Sequence, residues 1–206
     1  MDERQSKVSK EGKRVEECVI SMLCDLRKKY AWSHIVIGKG PTTVPADGYM
    51  ILRDACGDEV ENIFIPIEKL AIYYHQWLEV PDADIVVYSL CSKEILLVIS
   101  VKKSFRERGA QTAYWGFKLR CDGKPFKYIL VTIDNDNEMF DPKNPGKKRK
   151  WRKILPHETD GVFVIDCDMK NDERIYKDVK FFVGNAYFRK FVKSVVDMDN
   201  GLHACK

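Results

Sequence analysis

From Val15 to Tyr30 the apolar residues Val15, Val19, Ile20, Met22, Leu23 and Leu26 recur at three- and four-residue spacing. That spacing predicts an amphipathic first helix. The charged residues 1–12 before it are expected to fray. Gly38-Lys-Gly-Pro41 and Pro45-Ala-Asp-Gly48 punctuate the next stretch, which reads as loop. Asn62 to Leu78 is dense in apolar and aromatic side chains, and its part after Pro66 predicts a second helix. The aromatic cluster there, Tyr73, Tyr74 and Trp77, reads as core rather than binding surface. The period then changes. Ile85–Tyr88 and Ile95–Val101 are short β-branched runs bounded by polar residues, which predicts two strands, the second a central one. Phe105–Leu119 predicts a helix, with Ser104 as its cap and Glu107 at the third position of a capping box. Tyr128–Ile133 and Val162–Asp166 predict further strands, and Phe181–Val196 a closing helix. This order implies α/β architecture, a single domain over residues 1–206 with a central mixed β-sheet flanked by helices.

Composition narrows the function classes. At 206 residues, 45% hydrophobic and 32% charged, the chain is an ordinary globular sequence with enough length for one real core. No apolar run approaches the roughly 20 residues of a membrane span. The polar N-terminus does not resemble a secretory signal, so a cytoplasmic location is expected. Seven cysteines, an odd count without a close CxxC pair, argue against a zinc knuckle or a disulfide scaffold and for a reducing interior. The four histidines lie far apart, which removes a zinc helix. A net charge of +4 does not itself imply nucleic acid, so the distribution of charge has to decide.

The chemistry concentrates where the two predicted strands meet. Asp82 and Asp84 are two apart, so in extended chain both side chains point the same way. Ser100 and Lys102 share a face of the following strand for the same reason, with Val101 and Lys103 on the other. A carboxylate and a lysine brought together by adjacent strands suit a metal-dependent phosphodiesterase. The carboxylate holds a divalent cation against the scissile phosphate, and the lysine serves the attacking water. Asp84, at the mouth of its strand, is preferred over Asp82 as ligand. The plainer alternative is a solvated strand start and a lysine that snorkels from a strand end.

Pro81-Asp82 through Asp84, followed by Ser100-Val101-Lys102, resembles the PD-(D/E)xK nucleases, specifically type II restriction endonucleases with a Ser-x-Lys variant of the motif. The segment Ile99–Trp115 is similar to the strand-to-helix connection of a subgroup of them. The likeness covers residues 80–120 and implies a restriction-endonuclease-like fold. It further implies that Asp84 ligates magnesium, that the Val101 carbonyl adds a ligand, and that Lys102 organises the water. Cleavage would leave a 5′-phosphate and a 3′-hydroxyl. Where the usual pattern has an acid, this chain has Ser100, and the variant draws its missing carboxylate from the following helix. Glu107 is the only acid there and takes that role in this reading. It lies closer to Lys102 than the variant's relocated glutamate, and a capping role competes for it. Ser100 is a motif position and not a covalent nucleophile. Arg106 and Arg108, at the helix start, are placed for phosphate. The implied partners are double-stranded DNA, a second copy of the chain in a homodimer, and a cognate DNA methyltransferase acting separately.

Lys143–Lys153 holds seven basic residues in eleven and no acid. Lys147, Lys148, Arg149, Lys150, Arg152 and Lys153, with Trp151 among them, read as a loop over residues 141–153 that clamps the DNA backbone, and Lys103 joins them. Trp151 could equally anchor the loop. Asp134-Asn-Asp-Asn-Glu138 reads as an acidic turn rather than a second metal site. Three other functions fit part of this pattern. They are a repair or recombination nuclease with the same core, a DNA-binding protein with an inactive core, and an interaction domain without nucleic acid.

Overall fold

A strand buried on both faces needs apolar side chains at successive positions, and residues 95–99 and 101 provide them around Ser100. In the computed structural model, which describes residues 3–57, 62–105, 108–168 and 176–203, this run is β7 (Glu94–Lys102). Before it come α1 (Glu3–Lys29), β1 (Ile35–Lys39), β2 (Tyr49–Leu52), β3 (Ile63–Pro66), β4 (Ile72–Tyr74), β5 (Trp77–Glu79) and β6 (Ile85–Ser89). After it come α2 (Gly109–Cys121), β8 (Lys127–Thr132), α3 (Lys150–Glu158), β9 (Gly161–Val164), β10 (Tyr176–Asp178), β11 (Phe181–Val183) and α4 (Asn185–Leu202). Among the described residues the main sheet has seven strands in the order β1-β6-β7-β8-β9-β11-β10. Its β1, β6 and β7 run antiparallel, β7, β8, β9 and β11 parallel, and β10 antiparallel again. The protein is thus a single α/β domain with a central mixed sheet flanked by helices.

Alternation along the strands divides the core. Leu97, Ile99 and Val101 pack with Ile85, Ile129 and Val131 against Val19 and Leu23 of α1 and Phe188 and Val192 of α4. On the opposite face Val86, Val98 and Tyr128 meet Met50, Ile65 and Leu70 of the β2–β3 region and Leu119 of α2. Leu130 and Val162 are covered there by Phe105 and Leu155. Each such side chain contributes about 1.5–3 kcal/mol on burial, and a one-residue slip would turn the whole set to the wrong face. The register that forms the site is therefore fixed by the core beneath it.

Several elements depart from the sequence expectations. The helix predicted after Pro66 is instead a 3-10 turn at Ile67–Lys69 and the β4–β5 hairpin. Its Ile, Tyr and Trp content favours strands, and helical spacing of apolar residues could not distinguish the two. The stretch read as loop around Gly38 lies in β1, where a Cβ at residue 38 would stand 2.5 Å from the Arg53 carbonyl. That glycine serves close backbone approach rather than a turn. Phe181–Val183 is a strand, and the closing helix starts only after Gly184, whose φ of 116° breaks the chain. α2 starts at Gly109 with Arg108 as its N-cap, so Ser104 does not cap it and the capping box does not form there. α1 already runs from Glu3, through the stretch expected to fray.

The cysteines are a further correction. Cys18 is disulfide-bonded to Cys167 and Cys24 to Cys56, with Cα–Cα separations of 5.8 and 5.4 Å. Cys91 is also disulfide-bonded, and Cys121 is the free thiol among the described residues. The partners lie 149 and 32 residues apart, so spacing along the chain concealed them. The inference of a reducing interior from that spacing does not hold. Among the described residues no helix is long and apolar enough to cross a membrane.

Candidate active site

Pro81 has no N–H to give a ladder, and regular pairing of β6 starts at Ile85, opposite Ile99 of β7. Just before it, the Asp84 N–H donates to the Ile99 carbonyl at 3.0 Å. This antiparallel register carries Asp84 and Asp82 back along β7 toward Ser100 and Lys102. The Lys102 ammonium lies 2.7 Å from Asp82 Oδ2 and 3.1 Å from Asp84 Oδ2. The Val101 N–H donates to Asp84 Oδ2 at 2.6 Å. Ser100 Oγ donates to Asp82 Oδ2 at 2.9 Å. One buried lysine thus bridges two aspartates at the end of the central strand.

Lys102 is only 5% exposed. An ammonium held that deep costs several kcal/mol unless paired, which is why both carboxylates converge on it. Asp84 is the more open of the two, its side chain 24% exposed against 14% for Asp82. Beneath them the Tyr128 hydroxyl donates to the Asp82 carbonyl at 3.3 Å. Burial pushes the Tyr128 hydroxyl well above its ordinary range, with the charge of Asp82 adding to the effect, so it stays a protonated donor.

A further carboxylate, Glu16 of α1, lies near enough to feel the charges of the site. Burial pushes Glu16 up from the usual carboxylate range and the nearby negative charge of Asp84 adds to it, while Lys39 and Lys102 pull it down. Lys39, at the end of β1, pairs with Glu16 at 3.5 Å. Sequence reasoning offered Glu16 or Glu17 of the first helix only as the rival to Glu107, and did not place Lys39 here. No local pattern joins them to Asp84, and only the packing of α1 on the sheet does so.

The remaining expected residues fall into three groups. Arg106 and Glu107 lie outside the described residues, and α2 itself contains no acid. Arg108 is exposed at the N-terminus of α2, and Lys103 is half-buried one residue beyond β7. In the basic segment Lys147, Lys148, Lys150 and Lys153 are exposed, with Lys148 paired to Asp178 and Arg149 to Glu138. Residues 150–153 are the first turn of α3 rather than loop. Arg152 is a correction. It is 3% exposed, stacked between Tyr176 and Phe181, and it donates to the Pro145 carbonyl at 2.6 Å. Its guanidinium anchors the segment and is not available to a phosphate. Trp151 packs over Gly109, where a Cβ would stand 2.3 Å from the indole. The acidic turn is structural: Asp134 accepts from the Met139 and Phe140 N–H groups and Asp136 from that of Phe105.

Among the described residues no three acidic, histidine or cysteine side chains converge on one metal position. Two carboxylates beside strand-end carbonyls still suit magnesium, which commonly takes one or two carboxylates and fills its shell with water and substrate phosphate. The donor set is all oxygen, as a hard cation requires.

Residues 59–185 match the model of a family described as BsaWI restriction endonuclease type 2. A protein named "Putative type II restriction enzyme MjaVIP" from Methanocaldococcus jannaschii is 34% identical over 137 residues, covering 65% of this chain and 56% of that protein. Another, named "Probable type II restriction enzyme HpyAORF263P" from Helicobacter pylori, is 33% identical over 72 residues, covering 34% of this chain and 37% of its own length. The chain therefore spans about half or less of the curated relatives it matches.

Proposed function

This chain belongs to the BsaWI restriction endonuclease type 2 family, and on that premise we propose that it is a magnesium-dependent endonuclease that cuts double-stranded DNA at a short specific sequence. The observation that carries this reading is Lys102, buried at a strand end between two aspartates that an antiparallel register delivers to it. A stability role alone does not require so costly a group.

Asp84, with the Val101 carbonyl, would hold the cation, and Glu16 would add negative charge from the α1 side. Bound magnesium supplies Lewis-acid stabilisation of charge on the scissile phosphate. Lys102 orients the attacking water through its ammonium and offsets charge developing on the phosphate. Its pairing with Asp82 and Asp84 holds the side chain in place before substrate arrives. Hydrolysis leaves a 5′-phosphate and a 3′-hydroxyl. One constellation per chain and two strands to cut call for a homodimer, whose two-fold axis matches a palindromic site. A cognate DNA methyltransferase would protect that site as a separate protein. The family resemblance gives Glu107 the role of relocated acid, and Glu16 is a second acid whose carboxyl feels the charge of Asp84 without converging with Asp82 and Asp84 on one metal position.

The test is digestion of a long DNA of known sequence with and without magnesium, followed by end mapping. Discrete fragments with common ends in magnesium alone are expected. Random nicking would favour a repair nuclease. Salt-sensitive binding without cleavage would leave a DNA-binding protein with an inactive core.

A further inference from the structure

The position two residues before the motif lysine, where the family pattern places an acid, is Ser100 in this chain, and α2 carries no acid to replace it. Lys102 nevertheless has a second carboxylate, because Asp82 Oδ2 stands 2.7 Å from its ammonium, closer than Asp84 Oδ2 at 3.1 Å. The same Asp82 oxygen accepts the Ser100 hydroxyl at 2.9 Å, and the Asp82 carbonyl accepts the Tyr128 hydroxyl at 3.3 Å. Ser100 and Tyr128 are both buried. They fasten Asp82 by its side chain and its backbone. An aspartate at residue 100 would extend its carboxyl beyond the present Oγ, into the space the Asp82 carboxylate fills.

We propose that Asp82 does the work of the acid missing from position 100, delivered across the strand pair rather than from the next helix, with Ser100 and Tyr128 as the positioning residues that hold it there. This rests on the nuclease reading above and puts Asp82 in the place that reading left to Glu107 or Glu16. It assigns the two aspartates distinct places. Asp84 is the strand-mouth ligand, and Asp82 is the second carboxylate that completes the cation site and secures Lys102. The serine is then the compensating partner of a relocated acid. A short hydroxyl at residue 100 leaves room for Asp82 and gives it a hydrogen bond. An acid there would face a like charge at hydrogen-bond distance.

The test exchanges the two side chains. Calcium binding by titration calorimetry is read beside single-turnover cleavage in magnesium. Asp82→Asn is expected to weaken calcium binding about tenfold or more and to slow cleavage about 100-fold or more. Ser100→Asp alone should slow cleavage about tenfold or more, because two carboxylates would compete for one place. The double variant Asp82→Ser with Ser100→Asp should bind calcium within about threefold of the parent and cut about tenfold faster than either single variant. Tyr128→Phe should slow cleavage about three- to tenfold with calcium affinity unchanged, the split expected of a positioning residue. A Ser100→Asp variant faster than the parent would overturn the proposal. So would an Asp82→Asn variant that binds calcium as the parent does, or a double variant no better than the singles. If the parent cuts no DNA in magnesium, the nuclease reading fails, while the calcium pattern still decides whether Asp82 stands in for residue 100.

Discussion

Lys102 and Lys103 are neighbours that the fold treats differently. Lys102 is buried between Asp82 and Asp84, while Lys103 sits past the strand with its carbonyl accepting from Asn135 at 2.9 Å. Lys102→Ala should therefore lower single-turnover cleavage at saturating enzyme by about 100-fold or more. Lys103→Ala should leave that rate nearly unchanged and at most flatten the salt dependence of DNA binding by about one. A larger rate loss from Lys103→Ala would contradict the assignment of Lys102 to the chemistry. Asp84→Ala should abolish cleavage with the fold retained by circular dichroism. These residues were legible because two-residue alternation is a local property of strands. Glu16 was legible only as one of two rival acids on the first helix, since its neighbours Lys39 and Asp84 lie on other elements and nothing in a helical repeat marks one half-buried acid among several. Asp134 has a pH consequence of its own. Burial pushes its carboxyl up to about 6, against the lowering effect of the Phe140 and Met139 N–H groups. A folded-state value above the unfolded one means that its contribution is fully present below about pH 4 and lost as pH rises through 6. Asp134→Asn cannot ionise. In urea unfolding, the variant's stability relative to the parent should improve between pH 4 and 7 by about 3 kcal/mol at most. A difference that stays flat with pH would show that the turn holds Asp134 without strain on its charge.

Helix α1 shows how elements escape or reveal themselves. Its apolar period was readable over residues 15–26, yet two of its cysteines form long-range bonds that spacing cannot announce. Those bonds tie the helix carrying Glu16 to residue 167 on one side and residue 56 on the other. Closing a loop of such length restricts the unfolded chain strongly, so replacing Cys18 and Cys167 together by alanine should cost about 2–4 kcal/mol. That corresponds to a fall in melting temperature of about 4–16 °C for a domain of this size. Cleavage should also weaken, since Glu16 is two residues from Cys18. Equal stability with and without reductant in the parent would show that the bond contributes nothing. The β4–β5 hairpin failed for the opposite reason. Its residues Ile72, Tyr73, Tyr74 and Trp77 satisfy both helical and strand templates; Ile72 and Tyr74 pack in the cluster with Leu70 and Leu119, while Tyr73 and Trp77 are exposed, against the reading of the aromatic cluster as core. β7, by contrast, was legible because seven residues enriched in β-branched side chains and bounded by polar ones have few alternatives. α3 was hidden inside a basic run, where charge density drew attention from the Trp151, Arg152 and Leu155 positions that turn inward.

At the scale of the molecule, the site and the basic segment belong to one end of the sheet. β7 delivers Lys102 at its C-terminal end, and parallel β8 ends beside it at Thr132, paired to that lysine in the ladder. The turn after β8 then bonds to the segment following Lys102, through Asn135 to the Lys103 carbonyl and Asp136 to the Phe105 N–H. The same connection runs on into residues 141–149. Glu138 pairs with Arg149, Asp178 with Lys148, and buried Arg152 holds the Pro145 carbonyl, so three contacts fix this segment in place. The lysines left outward are Lys143, Lys147, Lys150 and Lys153. In the proposed backbone clamp, the outward lysines would meet phosphate while the paired ones set the shape. Exchange of Lys147 and Lys150 for glutamine should then lower the slope of log affinity against log salt by about two, equally for specific and random duplexes. Exchange of Lys148 should change it less, because that charge is already neutralised by Asp178. Arg152→Met should reduce affinity by loosening the segment, with a loss of stability of about 3 kcal/mol from the broken buried contacts that the lysine exchanges do not share. The measurement is duplex binding by fluorescence anisotropy in calcium across a salt series, beside urea unfolding of each variant. A preferred sequence that shifts in the Lys147 and Lys150 variant at constant slope would mean that the segment reads bases. An unchanged slope and sequence would move the DNA path to another face of the sheet.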